Sequence, residues 1–380
     1  MSDATPDDPP DDPSGAGPLA GVRVLDLATL FPAPLLAALL GDLGADVVKV
    51  EPATGDPLRR VGALDRDGNS VAWRVAARNK RSVVADHATA AALAAVADVV
   101  IVNQPAAVLT RNGWDAASVT AANPRVVYVS LTAFGASGPY ANRPGNGSIA
   151  EAFGGFAHLN GSPDGPPLLP SLALGDTLAA IAGVAPIVAA LYARDVHRGR
   201  GTVLDLSMYE PILALQAAAI AAWRPEDEPP ARMGSRIAAA APRNLYECAD
   251  GMWIGVSGPT DEQVGRLLAV MDRSGEVARW GTAAQRLGAE ADALDEAVAA
   301  WIAARPRTEV VDRLLDARIP AAPVNTIADL AADPQVRARH SLERALGLVR
   351  RIAPAIGEHS DEVAAEWLGD SERERRRVGA

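Results

Sequence analysis

The feature that most constrains the fold is a pair of short apolar runs flanking one helix-length segment. Val22–Ala28 (VRVLDLA) and Ala45–Glu51 (ADVVKVE) are rich in valine and read as strands. Between them, Pro34–Leu43 (PLLAALLGDL) reads as a helix, with a proline near its first turn and Gly44 at its end. Strand, helix, strand at this spacing is a βαβ unit, with parallel strands and a right-handed crossover. The pattern recurs. Ser82–Asp86, Asp98–Asn103 and Val126–Ala133 read as strands, and Ala88–Ala97 as a helix. Together they predict a Rossmann-like open parallel sheet and an α/β fold.

After Gly135 the stretches GASGPYANRPGNGS and NGSPDGPPLLP are rich in turn residues and are expected to line a site or an interface. A long apolar helix is predicted over Thr177–Arg194, kinked at Pro186, then a strand over Val203–Ser207 and a helix over Tyr209–Trp223. Residues 224–240 read as a linker. Beyond it NLYECADGMWIGVS is a hairpin turning at Asp250-Gly251, followed by amphipathic helices at Asp261–Met271, Asp292–Ala304 and Thr308–Ala317. This predicts a smaller α+β domain over 241–325, set between residues 18–223 and a segment, 326–380, that returns to the large domain. No internal repeat is visible. Residues 1–17, dominated by Pro, Gly and Asp, cannot repay the entropy of ordering and are expected to form a disordered acidic tail.

At 380 residues the chain can bury a core in each of two domains, and its 49% hydrophobic and 22% charged residues are ordinary for a globular protein. A net charge of −11, with five aspartates in the tail and no basic stripe with interleaved aromatics, argues against a nucleic-acid partner. The sole cysteine, Cys248, rules out an intrachain disulfide and points to a reducing, cytoplasmic compartment. Neither a secretory signal nor a membrane span is expected, because the apolar stretches are short or broken by Pro, Arg or Asp.

The turn after the first strand, ATLFPAP, lacks the glycines a dinucleotide's pyrophosphate needs, so Glu51 some 20 residues further on is weak support for an NAD(P) or FAD site. The five histidines never fall at i, i+3 or i+4 spacing, which argues against a metal. Asp176, in LALGDTLAAIAG, opens the long helix. It reads either as an N-cap or as an ionised carboxylate kept available for attack by the helix N-terminus, and the two roles are compatible. Arg78, Asn79, Lys80 and Arg81 form a basic cluster, either a solvated turn or a clamp for phosphates, which Arg59, Arg60 and Arg111 extend.

Several segments, in order, resemble the family III CoA-transferases, the group of formyl-CoA transferase and carnitine CoA-transferase, related to α-methylacyl-CoA racemase. They include PLAGVRVLDLA (18–28), GDLGADVVKVEP (41–52), ARNKRSVVAD (77–86), NPRVVYVSLTAFGASGPY (123–140), GDTLAAIAGVAPIVAALYAR (175–194) and APAIGEHSDEV (353–363). The resemblance runs from about Pro18 to Gly369. It implies that Asp176 is the catalytic carboxylate, acylated during transfer of coenzyme A between carboxylic acids. It implies CoA contacts from Phe31, Pro32, Asn79, Lys80, Arg81, Ser82, Asn103, Gln104, Pro105 and Arg111. It further implies an interlocked homodimer, with acyl-CoA and a carboxylic acid as substrates and no metal or redox cofactor.

The chain departs from the family pattern around the acyl pocket. Asn103 is followed by Gln104, Pro105 and Ala106 rather than an aromatic and Pro-Gly. The loop Pro144, Gly145, Asn146, Gly147 lacks the usual Asp, and alanines replace a glycine-rich lid near Gly234–Pro242. A racemase would need a His beside the Asp, and the stretch 145–148 has none. An intramolecular CoA transfer and an inactive CoA-binding protein are the other readings.

Overall fold

The computed structural model describes residues 17–369 apart from Asp67, Arg198, Ala289 and Leu348; all but the last residue of the expected acidic tail lies outside the described residues. The chain divides into two compact units. One comprises residues up to Phe156, Leu169–Glu226 and the segment from Glu343; the other comprises Ala157–Leu168 and Asp227–Leu342.

In the larger unit β1 (Arg23–Asp26), α1 (Pro32–Asp42) and β2 (Asp46–Glu51) form the βαβ unit. There follow α2 (Val71–Ala77), β3 (Lys80–Val84), α3 (His87–Ala95), β4 (Val99–Val102), α4 (Ala106–Arg111), α5 (Ala116–Ala122) and β5 (Val127–Thr132). After β5 come α6 (Gly147–Phe153), the short α7 (Phe156–Leu159), whose residues after Phe156 belong to the smaller unit, α8 (Leu174–Val196), β6 (Val203–Ser207), α9 (Tyr209–Leu215) and α10 (Ala217–Ala222). The six strands make one sheet in the order β3-β2-β1-β4-β5-β6, every pair parallel. Strand order therefore reverses between β1 and β4, and the crevice at the carboxyl ends of those two strands is where open α/β sheets bind ligands.

Alternation along the strands sends side chains to two cores. Val24, Val47, Val99, Val127 and Val129 pack on one face with Leu36 and Leu40 of α1 and Ile187 and Leu191 of α8. Leu25, Val48, Val100 and Tyr128 pack on the other with Leu93, Leu109, Val119 and Trp367. The sheet is thus covered on both sides, which is why β4 reads as an unbroken apolar run.

Several expectations shift. β3 starts at Lys80, because parallel pairing with β2 (Val47↔Lys80), a buried acidic partner for Lys80 and acidic partners for Arg81 extend it beyond its apolar residues. The predicted helix 209–223 is two helices. Gln216 breaks it by turning its amide to the carbonyl of Gly154. α8 continues unbroken through Pro186. Segment 357–363 lies along the outer edge of β3, where the His359 N–H donates to Ser82 O (3.0 Å) and the Val84 N–H to Ser360 Oγ (3.2 Å).

In the smaller unit, β7 (Arg243–Glu247) and β8 (Trp253–Ser257) form the expected hairpin, with Gly251 at φ +73° in its turn. β9 (Ala321–Pro323) adds a third antiparallel strand that no local signal announces. Helices Asp261–Val270, Glu290–Ala303 and Arg307–Asp316 enclose a core of Tyr246, Ile254, Leu267, Trp280, Val298, Ile302 and Leu314.

Candidate active site

α8 begins at Leu174, and Ala173 occupies its N-cap position without any side-chain bond to the helix. Asp176 is therefore not the cap. It is the third helical residue, inside the first turn of a 23-residue helix, where the macrodipole favours a negative charge. The C-terminal end of α8 lies at the amino edge of the sheet, where Arg194 Nη1 donates to Arg125 O (3.3 Å), so Asp176 lies at the carboxyl edge.

The short helix α6 meets Asp176 there. Asn146 caps α6 by accepting the Ile149 N–H (3.1 Å), and the loop before it packs so closely on the end of β5 that a Cβ at Gly145 would lie 2.5 Å from Ala133 Cβ. The backbone of Gly147 packs directly against the Asp176 carboxylate, and its N–H dipole favours the charged form. A Cβ at Gly147 would sit 2.6 Å from Asp176 Cγ, and one at Gly175 would sit 2.7 Å from Gly147 O. Both glycines are thus required by the close approach of the α6 backbone to the first turn of α8. One turn into α6, Glu151 is buried (1% exposed) and accepts the Gly175 N–H at 2.8 Å.

Desolvation dominates the electrostatics. Burial pushes the Asp176 pKa up to about 6, the Gly147 N–H dipole partly opposes this, and the negative charge of Glu151 adds to it. The result is a half-buried carboxylate, ionised at neutral pH, far more basic than an exposed aspartate. Phe134, Tyr140, Phe153 and Tyr209 form an edge-to-face cluster nearby, with Phe134 against Gly145 and Arg143 stacked 3.5 Å over Tyr140.

The expected CoA contacts fall into two groups. Phe31 and Pro32 open α1, and Asn103 follows β4. Its amide bonds both ways to Thr29, Oδ1 accepting the N–H (2.9 Å) and Nδ2 donating to the carbonyl (2.7 Å). Gln104 Nε2 donates to Leu27 O (2.7 Å), Pro105 caps α4, and Arg111 is exposed in the last turn of α4. These residues gather at the β1–β4 switch point. A cavity of about 450 Å³ opens beside it, lined by Thr29, Glu51, His87, Gln104, Asn112 and Trp114 among others.

Asn79, Lys80, Arg81 and Ser82 turn instead to partners inside the fold. Lys80 is fully buried, bonded to Asp26 Oδ2 (2.7 Å) and Pro34 O (2.6 Å), with its pKa driven down to about 8 by burial. Arg81 binds Asp46, Glu362 and Glu366, Arg78 binds Asp42, and Ser82 Oγ donates to Glu51. Asn79, held at φ +57°, bonds Asp42 and the N–H groups of Arg350 and Arg351. Each cation here has a carboxylate partner within the fold. The residues that sequence reasoning missed are Gly147, Glu151 and Gly175. Spacing hinted at the two glycines, through Gly145-Asn146-Gly147 and the Gly before Asp176, but nothing local marks Glu151. No group of three or more His, Cys, Asp or Glu able to hold a metal occurs among the described residues.

A basic, desolvated carboxylate at the same sheet edge as a ligand-sized crevice suits acyl transfer, and comparison with known proteins supplies the class. The chain belongs to the family described as CoA-transferase family III, matching it over residues 19–355, and is a CoA-transferase. It is 36% identical to the β subunit of succinyl-CoA:L-malate CoA-transferase from Chloroflexus aurantiacus, across 93% of this chain and 94% of that protein. It is 32% identical to a succinate–glutarate CoA-transferase from Agrobacterium fabrum, across 94% of this chain and 97% of the relative. Among solved structures, a CaiB/BaiF family protein from Brucella suis superposes with a TM-score of 0.80 at 29% identity, covering 93% of this chain and all of that one.

Proposed function

We propose that this enzyme transfers coenzyme A from a dicarboxylic acyl-CoA to a second carboxylic acid, with Asp176 as covalent nucleophile. The observation that carries the reading is a carboxylate in the first turn of α8, packed against the Gly147 backbone and made more basic by burial. An Asp176 oxygen attacks the thioester carbonyl, the C–S bond breaks, and the electron pair leaves on the CoA sulfur, giving a mixed anhydride and a thiolate. The thiolate attacks the aspartyl carbonyl, forming an aspartyl-CoA thioester and releasing the donor acid as its carboxylate. The acceptor carboxylate then runs the two steps in reverse. Splitting one transfer into covalent steps between held partners is what proximity and nucleophilic catalysis provide.

The dicarboxylic class rests on the relatives, whose names specify succinyl-CoA, malate, succinate and glutarate. Coenzyme A enters at the β1–β4 switch point, beside Phe31, Pro32, Asn103, Gln104, Pro105 and Arg111. Asn79, Lys80, Arg81 and Ser82 brace the strands behind it. The enzyme works as an interlocked homodimer in the cytoplasm. Exposed Ile181 (57%) and Tyr192 (64%) on α8, with Leu215, Ile220 and Trp223, support a partner subunit covering that surface. Incubation with succinyl-CoA and hydroxylamine tests the chemistry. Trapping as a hydroxamate at Asp176, lost along with transfer in Asp176→Ala, is the expected result; transfer at full rate in Asp176→Ala refutes it.

A further inference from the structure

We infer that Glu151 is the positioning residue that sets the reactivity of Asp176, by fixing the first turn of α8 and by opposing the nucleophile's negative charge. The inference rests on the reading of Asp176 as nucleophile.

Glu151 lies inside the protein, and its one hydrogen bond to the rest of the site is accepted from Gly175, the residue before Asp176. Since Gly175 in turn abuts Gly147 O, this bond holds the first turn of α8 against the α6 backbone that packs on Asp176. A neutral glutamine would accept the same N–H, so the hydrogen bond alone does not require a charge. A buried carboxylate beside another carboxylate is costly, and structural need does not explain it. The elements packed on α8 are α1, α6, α9, β5 and β6, and among the described residues only Glu151, from α6, brings a charge that acts on Asp176.

The repulsion has a consequence for each covalent step. Before attack, the negative charge of Glu151, one residue's backbone away on the Gly175 N–H, acts on the half-buried Asp176 carboxylate. When Asp176 attacks the thioester, its negative charge leaves with the CoA sulfur and the acylated aspartate is neutral. Acylation therefore relieves the like-charge contact, so Glu151 makes the free nucleophile more basic and favours the acylated states. The second step, from anhydride to aspartyl thioester, keeps Asp176 neutral and keeps the relief.

The test compares Glu151→Gln, Glu151→Asp and wild type by the pH profile of kcat/KM for succinyl-CoA and by the fraction of protein carrying an acyl adduct at Asp176 in intact-mass spectra. Glu151→Gln keeps the acceptor and loses the charge. Its acid limb is expected to fall by roughly half to one pH unit, as removal of a neighbouring like charge does, with a smaller adduct fraction. Glu151→Asp keeps the charge with a shorter reach, so its acid limb stays up while kcat drops. A Gln variant with wild-type acid limb and adduct fraction overturns the inference. Should the Gln protein not fold, an acid limb that falls in Glu151→Asp overturns it and one that stays up supports it. Absence of any adduct at Asp176 in the wild-type enzyme instead overturns the nucleophile reading itself, whatever the variants do.

Discussion

At the scale of single residues, the site depends on what is missing from position 147. With a Cβ there 2.6 Å from Asp176 Cγ, Gly147→Ala must push α6 off α8 or turn the carboxylate aside. A displacement of about 1 Å at a reacting group costs on the order of 100-fold, so kcat/KM of Gly147→Ala is expected to fall by about that factor, checked by steady-state kinetics beside a thermal melt. Asp176 itself should lower stability. Its folded pKa, about 6, exceeds the ordinary carboxylate value, so the native state binds more protons than the unfolded chain between about pH 4 and 6. The contribution of Asp176 to stability therefore falls as pH rises through that window and stays low above it. Asp176→Asn should be more stable by about 1–3 kcal/mol at pH 7.5, with the gain fading toward pH 4, as urea denaturation at several pH values would show. The residue types of this site were partly legible. Asp176 stood out beside Gly175, while its place in the first turn rather than at the cap depends on where the loop before Leu174 stops, which no residue type signals.

At the scale of elements, the sheet edges carry the risk. β3 is an edge strand, and its outer side is covered by residues 357–363 through His359 and Ser360, with Arg81 tied to Glu362 and Glu366. A chain ending at Leu342 would bare that edge and the Trp367 site, and an open strand edge templates pairing with other chains. Such a truncation is expected to aggregate or to lose its cooperative melt, as light scattering during thermal unfolding would record. The Lys80–Asp26 pair, fully buried beneath the switch point, acts similarly. Removing the cation in Lys80→Ala leaves Asp26 with the Ala28 N–H, at 3.0 Å, and Lys49, at 3.8 Å, and should cost about 3–5 kcal/mol. Lys80→Met, which also strands Asp26 but fills the space, should cost less, and chemical denaturation separates the two. The partners of the basic cluster were not legible, because a sequence lists cations without them; Asp26, Asp42 and Asp46 lie dozens of residues away.

At the scale of the whole molecule, α8 is long and apolar enough to cross a membrane by length and composition, and it is the one such helix among the described residues. Here it lies on the sheet with Ile187 and Leu191 in the core and Ile181 and Tyr192 outside. If a second copy covers that outer face, light scattering coupled to gel filtration will give twice the mass of one chain, and Ile181→Glu or Tyr192→Glu will shift it toward one. A monomeric mass for the wild type would sink the proposed assembly.

The amino-acid sequence by itself determined the βαβ start, the parallel sheet and the hairpin at Asp250-Gly251, because these follow from periodicity and turn chemistry acting over a few residues. The order of signature segments further pointed to the family. Only the tertiary structure decided that Glu151 faces Gly175, that Asn103 clasps Thr29, and that Asn79–Ser82 find partners within the fold. Those are contacts between residues far apart in the chain, set by how helices seat on the sheet, and burial there, rather than residue type, makes Asp176 basic.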